Sequence, residues 1–183
     1  MSAETLAEKL GLAPHSSPLL AKARRLGLVS ARELESLAVT RGCWHYRHPD
    51  LTPVPGVSES MFSDAELAIA LLSPCWPYSP HSLRVGAAML GASGNDPKSV
   101  ARLAMAERCV PLVGYIARAG HQYEPDNDFW PRLLASLPDE PEPADGVMPH
   151  PTRFVSMTGL TRAGHQRITV WIRPRANLAL AHG

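Results

Sequence analysis

The chain has 183 residues, 45% of them hydrophobic, with 18 basic against 17 acidic side chains. This supports one compact domain with appendages and excludes wholesale disorder. Three cysteines (Cys43, Cys75, Cys109), odd in number and without a C-x-x-C, argue against a disulfide scaffold. The N-terminus has acids where a secretory signal needs bases, and no apolar run approaches the roughly 20 residues of a membrane span, so a soluble cytoplasmic protein is expected. Three lysines among the 18 basic residues leave 15 arginines (18 − 3), which with abundant Ala and Pro suggests a GC-rich, bacterial genome.

In chain order, residues 2–11 predict a short amphipathic helix with Leu6 and Leu10 on one face and Gly11 as its stop. Ser17 and Pro18 open a second helix that Gly27 closes. A capping box, Ser30 with Glu33, starts a third, with Leu34, Leu37 and Ala38 on one face until Gly42. The pair over Lys22 to Leu37 reads as an ordinary αα-hairpin rather than a DNA-binding helix-turn-helix. Its turn (Leu26 to Val29) is one residue too long, and Glu33 and Glu35 would face phosphates. Residues 43–62 predict a Pro-rich loop ordered by Trp44 and Tyr46.

A second capping box, Ser63 with Glu66, opens a helix to about Leu72. Further helices are predicted from Ser79-Pro80 to about Leu90, from Asp96-Pro97 to about Arg108, from Val110 to Ala119 and from Asp128 to about Leu137. Asp126 and Asp128 read as N-cap chemistry for the last. Small residues at inner positions allow close helix approach. The fold class is therefore mainly α (α+β), a compact bundle of short helices with an appended C-terminal antiparallel β-hairpin. Its expected parts are an N-terminal helical segment (1–42), the loop (43–62), a helical core (63–137), an acidic Pro-rich linker (138–150) and a basic hairpin with its tail (151–183).

The last two parts hold the polarity. Residues 138–150 carry four acids and no base, whereas 151–183 carry Arg153, Arg162, Arg167, Arg173 and Arg175 and no acid. A two-residue Ala163-Gly164 turn pairs Arg162 with His165, Met157 with Val170 and Val155 with Ile172. This register puts Val155, Met157, Ile168, Val170 and Ile172 against the helices. Phe154, Ser156, Thr158, Thr169, Trp171 and Arg173 are left as a basic, aromatic contact face. A two-stranded ribbon is marginal alone, so it must dock on the body or a partner, or pair with a second copy into a homo-oligomer.

Other candidate chemistry is sparse. Cys43, His45 and His48 have spacing compatible with zinc but lack a fourth nearby ligand. Cys75 near His81 reads as core filling. Cys109 reads as a buried hydrophobe. No nucleophile elbow, phosphate loop, dinucleotide fingerprint or zinc-protease motif is present, so no cofactor is expected. Of two Pro-flanked aromatic sites, Trp76 with Tyr78 and Phe129 with Trp130, at least one is expected to be a core corner. Arg-Ala-Gly-His-Gln occurs at 118–122 and 162–166, and both glycines are expected at positive φ.

The leading expectation is a non-enzymatic interaction subunit of a cytoplasmic multiprotein assembly. It would dock a protein partner through Phe154, Trp171, Arg153, Arg162, Arg167, Arg173 and Arg175. The rival is a nucleic-acid-binding accessory protein that uses those arginines on phosphates. A small metal-dependent enzyme is the third class, and no membrane association is expected.

Overall fold

A computed structural model describes residues 4–13, 15–51, 53–158 and 168–175. Among them, eight α-helices precede one two-stranded sheet. The helices are α1 (Leu6–Lys9), α2 (Pro18–Arg25), α3 (Ala31–Thr40), α4 (Asp64–Leu71), α5 (Pro80–Leu90), α6 (Pro97–Ala106), α7 (Val110–Tyr123) and α8 (Phe129–Ser136). The strands are β1 (Val155–Thr158) and β2 (Ile168–Trp171).

Local chemistry sets the helix starts. Ser30 with Glu33 and Ser63 with Glu66 form reciprocal capping boxes at α3 and α4, and the Ser17, Ser79 and Asp96 side chains cap α2, α5 and α6, each followed by Pro. Each such cap contributes roughly 0.5–2 kcal/mol by satisfying an end N–H. Three starts or ends depart from the sequence pattern. α1 begins at Leu6 because a Thr5–Glu8 capping box fixes it there. Immediately before it, the chain runs extended beside the Pro-rich joint, where Tyr78 N donates to Glu4 O at 2.9 Å. α7 continues four residues past Ala119 to Tyr123. At α8 the cap is Asn127, whose Oδ1 accepts from Phe129 N at 3.1 Å, while Asp128 makes no side-chain cap bond.

α4 is the hub. Ala65, Leu67, Ala68, Ile69, Ala70 and Leu71 are all buried, so beyond the acids of its first turn the helix is apolar on every face, as a central helix must be. It packs most extensively on α5, where Leu72 occupies the space that a Cβ on Gly86 would need. α8 covers α6 and α7. Residues 138–150 run against this body. Tyr78 Oη donates to Val147 O at 2.9 Å, Tyr115 Oη donates to Pro149 O at 3.2 Å, and Arg118 pairs with Glu142 at 2.6 Å.

The hairpin register differs by one residue from the expected one. Val155 pairs with Trp171, Ser156 with Val170, Met157 with Thr169 and Thr158 with Ile168. The expected Ala163-Gly164 turn lies outside the described residues. A one-residue slip moves every side chain of a strand to the opposite face. Trp171 therefore turns inward with Val155, while Ser156 and the buried Ile172 border a groove beside the hairpin. Burying an aromatic of about 150–250 Å² at about 25 cal/mol per Å² yields more than burying one aliphatic, and the bundle has a seat for an indole.

Candidate docking groove

The seat is built by two glycines and a tryptophan. A Cβ on Gly91 at the end of α5 would lie 2.7 Å from Trp171, and one on Gly120 in α7 would overlap Trp130. Both indoles thus lie directly on helix backbone. Gly120 does not take the positive φ expected for it, and Gly164 lies outside the described residues. Trp171 contacts Trp130 at 4.8 Å and Phe154 at 5.6 Å between centroids, and its Nε1 donates to Ala87 O at 3.2 Å. Trp171 and Phe154 are 0% and 1% exposed. Their expected role as an aromatic contact face is corrected: they are the hairpin's attachment to the bundle.

The arginines divide. Arg173 pairs with Glu124, whose carboxylate also accepts from Trp130 Nε1 at 2.8 Å and Asn127 Nδ2 at 3.0 Å. Glu124 is thus a fixed anchor just beyond α7 that sequence spacing did not reveal. Arg153 and Arg175 are exposed and have no side-chain partner among the described residues. Arg162 and Arg167 lie outside the described residues.

After β2 the chain turns onto Gly42, where Arg175 N donates to Gly42 O at 3.1 Å. Gly42 has φ +107, and a Cβ there would collide with the Arg175 backbone, so only glycine allows this closure. The closure sets the 3₁₀ turn Trp44–Tyr46 beside the hairpin. Between them is a groove of about 400 Å³ lined by Gly42, Trp44, His45, Ser156, Ile172, Arg173 and Arg175. Trp44 is 41% exposed, whereas Tyr46 is buried and its hydroxyl is pushed up to about 12 by that burial. The groove lining has two guanidinium groups and no carboxylate. On the other side of Arg173 lies a second, open cleft of about 750 Å³ with Glu124, Asp126, Asp128 and Arg132.

The candidate metal ligands do not converge. Cys43 is buried with its Sγ 3.3 Å from Met89 Sδ, and burial pushes its thiol up to about 12. His45 lines the groove, and His48 stands exposed with Nδ1 3.5 Å from Asp50. Among the described residues no group of three or more His, Cys, Asp or Glu side chains is placed to hold a metal ion. Cys75 neighbours His15 rather than His81, its Sγ donating to His15 O at 3.4 Å. Cys109 is buried. Trp130 is the expected core corner. Among the described residues no helix is long and apolar enough to cross a membrane. No protein-family model, curated protein or solved structure matches this chain.

Proposed function

We propose that the protein is a non-enzymatic interaction subunit of a bacterial, cytoplasmic assembly, and that it docks a protein partner across the Trp44 groove. The observation that carries this reading is an exposed tryptophan over a preformed groove with arginine at its edge. Trp, Met and Arg are the residue types enriched where protein interfaces are buried. The groove stands between two rigid attachments, the Trp171 wedge and the Gly42 closure, so little ordering cost accompanies binding.

A nucleic-acid partner is less well supported. The two aromatic residues expected to stack on bases are core residues, and Arg173 is already paired with Glu124.

Trp44→Ala tests the docking reading. Tagged wild-type and variant chains are used as bait in lysate of the source organism, and retained proteins are identified by mass spectrometry. A protein retained by the wild type and lost with the variant, at unchanged circular dichroism, is the expected result. Identical retained sets, or a wild-type chain that stays monomeric without a partner, overturn the reading.

A further inference from the structure

We infer that the chain pairs with a second copy of itself through the face centred on α8, the basic edge of one copy meeting the acidic edge of the other. This is independent of the docking groove and uses none of its lining residues. α8 lies over both α6 and α7. On its α6 side is a shallow groove of about 610 Å³ whose lining includes Lys98, Ala101, Arg102, Met105 and Ala135. On its α7 side is a pocket of about 150 Å³ whose lining includes Val110, Leu134, Leu137, Asp139 and Glu140.

Both edges hold charge that the chain itself leaves unpaired. Lys98, Arg102, Asp139 and Glu140 are exposed, and none is in an ion pair among the described residues. Asp96, the acid on the basic side, is spent as the cap of α6, where its Oδ2 accepts from Ser99 N at 2.8 Å. Arg118, the base on the acidic side, is paired with Glu142 at 2.6 Å. The α6 side is thus left positive and the α7 side negative. Met105, 45% exposed, adds apolar surface beside the two cations, and methionine is enriched where protein interfaces are buried.

A face with opposite charges on its two edges is complementary to itself. A two-fold axis running along α8 carries the α6 side of one copy over the α7 side of the other, so every contact is made twice. The acidic pocket suits a long basic side chain. Its stem packs on Leu134 and Leu137 while its charged end reaches Asp139 and Glu140. Each edge finds its complement in the other, which commits the face to a second copy rather than to a foreign partner. One exposed ion pair contributes little, but symmetry doubles each pair.

Sedimentation velocity of the full chain over a wide concentration range tests this. The mass should rise from the 19.8 kDa monomer toward twice that value, and fall back on adding salt. Two charge reversals are compared with wild type, Lys98→Glu with Arg102→Glu and Asp139→Lys with Glu140→Lys. Each should weaken the dimer about tenfold or more, because like charges then face one another twice. Combining all four substitutions swaps the edges and should restore the dimer. All four positions are exposed, and circular dichroism checks that the variants stay folded. Arg24→Glu with Arg25→Glu, the same charge change on α2, should leave the dimer as it is.

A chain that stays monomeric at every concentration overturns the inference. So does a dimer indifferent to both reversals, or one that the four-residue swap fails to restore. Equal loss with the α2 variant would assign the effect to net charge and also overturn it. A dimer abolished by Met157→Asp and untouched by the reversals would place the interface at the hairpin instead.

Discussion

At the scale of single residues, burial decides the chemistry of the thiols. Cys43 rises from an ordinary 9.0 to about 12, first through desolvation, and Cys109 is shifted upward for the same leading reason. Tyr46 rises from 10.0 to about 12 through burial. These folded-state values lie above the unfolded ones, so the neutral forms are favoured by folding. The associated stability is complete below about pH 9 and is lost as pH rises toward 12. Urea midpoints measured from pH 7 to pH 11 should fall above pH 9, and Cys43→Ala should flatten that slope. Ellman's reagent should titrate Cys75 in the native chain and Cys43 and Cys109 only after denaturation. Fast labelling of all three thiols would contradict the described core.

Among elements, the hairpin behaves as a wedge. Trp171→Ala should lower stability by about 3–5 kcal/mol, the usual range for an indole removed from a core. Arg153→Ala, at an exposed site, should stay within about 0.5 kcal/mol. Chemical denaturation of the two variants checks both, and equal small effects would mean that the hairpin is not seated as described. The helix starts were legible because they are local: Ser30 with Glu33, Ser63 with Glu66, and Ser79 or Asp96 before Pro each announce themselves within four residues. The register was not legible. An alternation of Val, Met and Ile suggests one inward face, but the decisive partner of β2 is a seat formed by Ala87, Gly91 and Trp130, far away in sequence. The groove was half legible for the same reason. The 43–48 stretch and the arginines stood out, yet only the closure of Arg175 on Gly42 brings them together.

Across the whole molecule, long-range polar ties hold the first helices to the bundle. Glu107, at the end of α6, is 2% exposed, and its carboxylate accepts from Ser17 Oγ and, at 2.9 Å, from Leu19 N. A negative group at the start of α2 also suits the partial positive charge of a helix N-terminus. Lys22 pairs with Glu66 at 2.6 Å and Arg41 with Asp64 at 2.9 Å, both partly exposed and so individually worth little. Glu107→Ala should therefore cost more than Lys22→Ala, about 1–3 kcal/mol against less than 1. It should also speed hydrogen exchange at Leu19 and Leu20 before other core amides. Exchange that stays uniform across the bundle would show that Glu107 is not the tie.

The closure of Arg175 on Gly42 also has a consequence in time. The two walls of the groove are separated by more than a hundred residues, and the later wall includes residues translated after all eight helices. A ribosome-bound chain that has released only the bundle has Trp44 in place but no opposing wall. Engagement of the groove therefore waits until the hairpin has emerged and closed on Gly42, and a partner that requires it distinguishes chains with a seated hairpin from those that have made only the bundle.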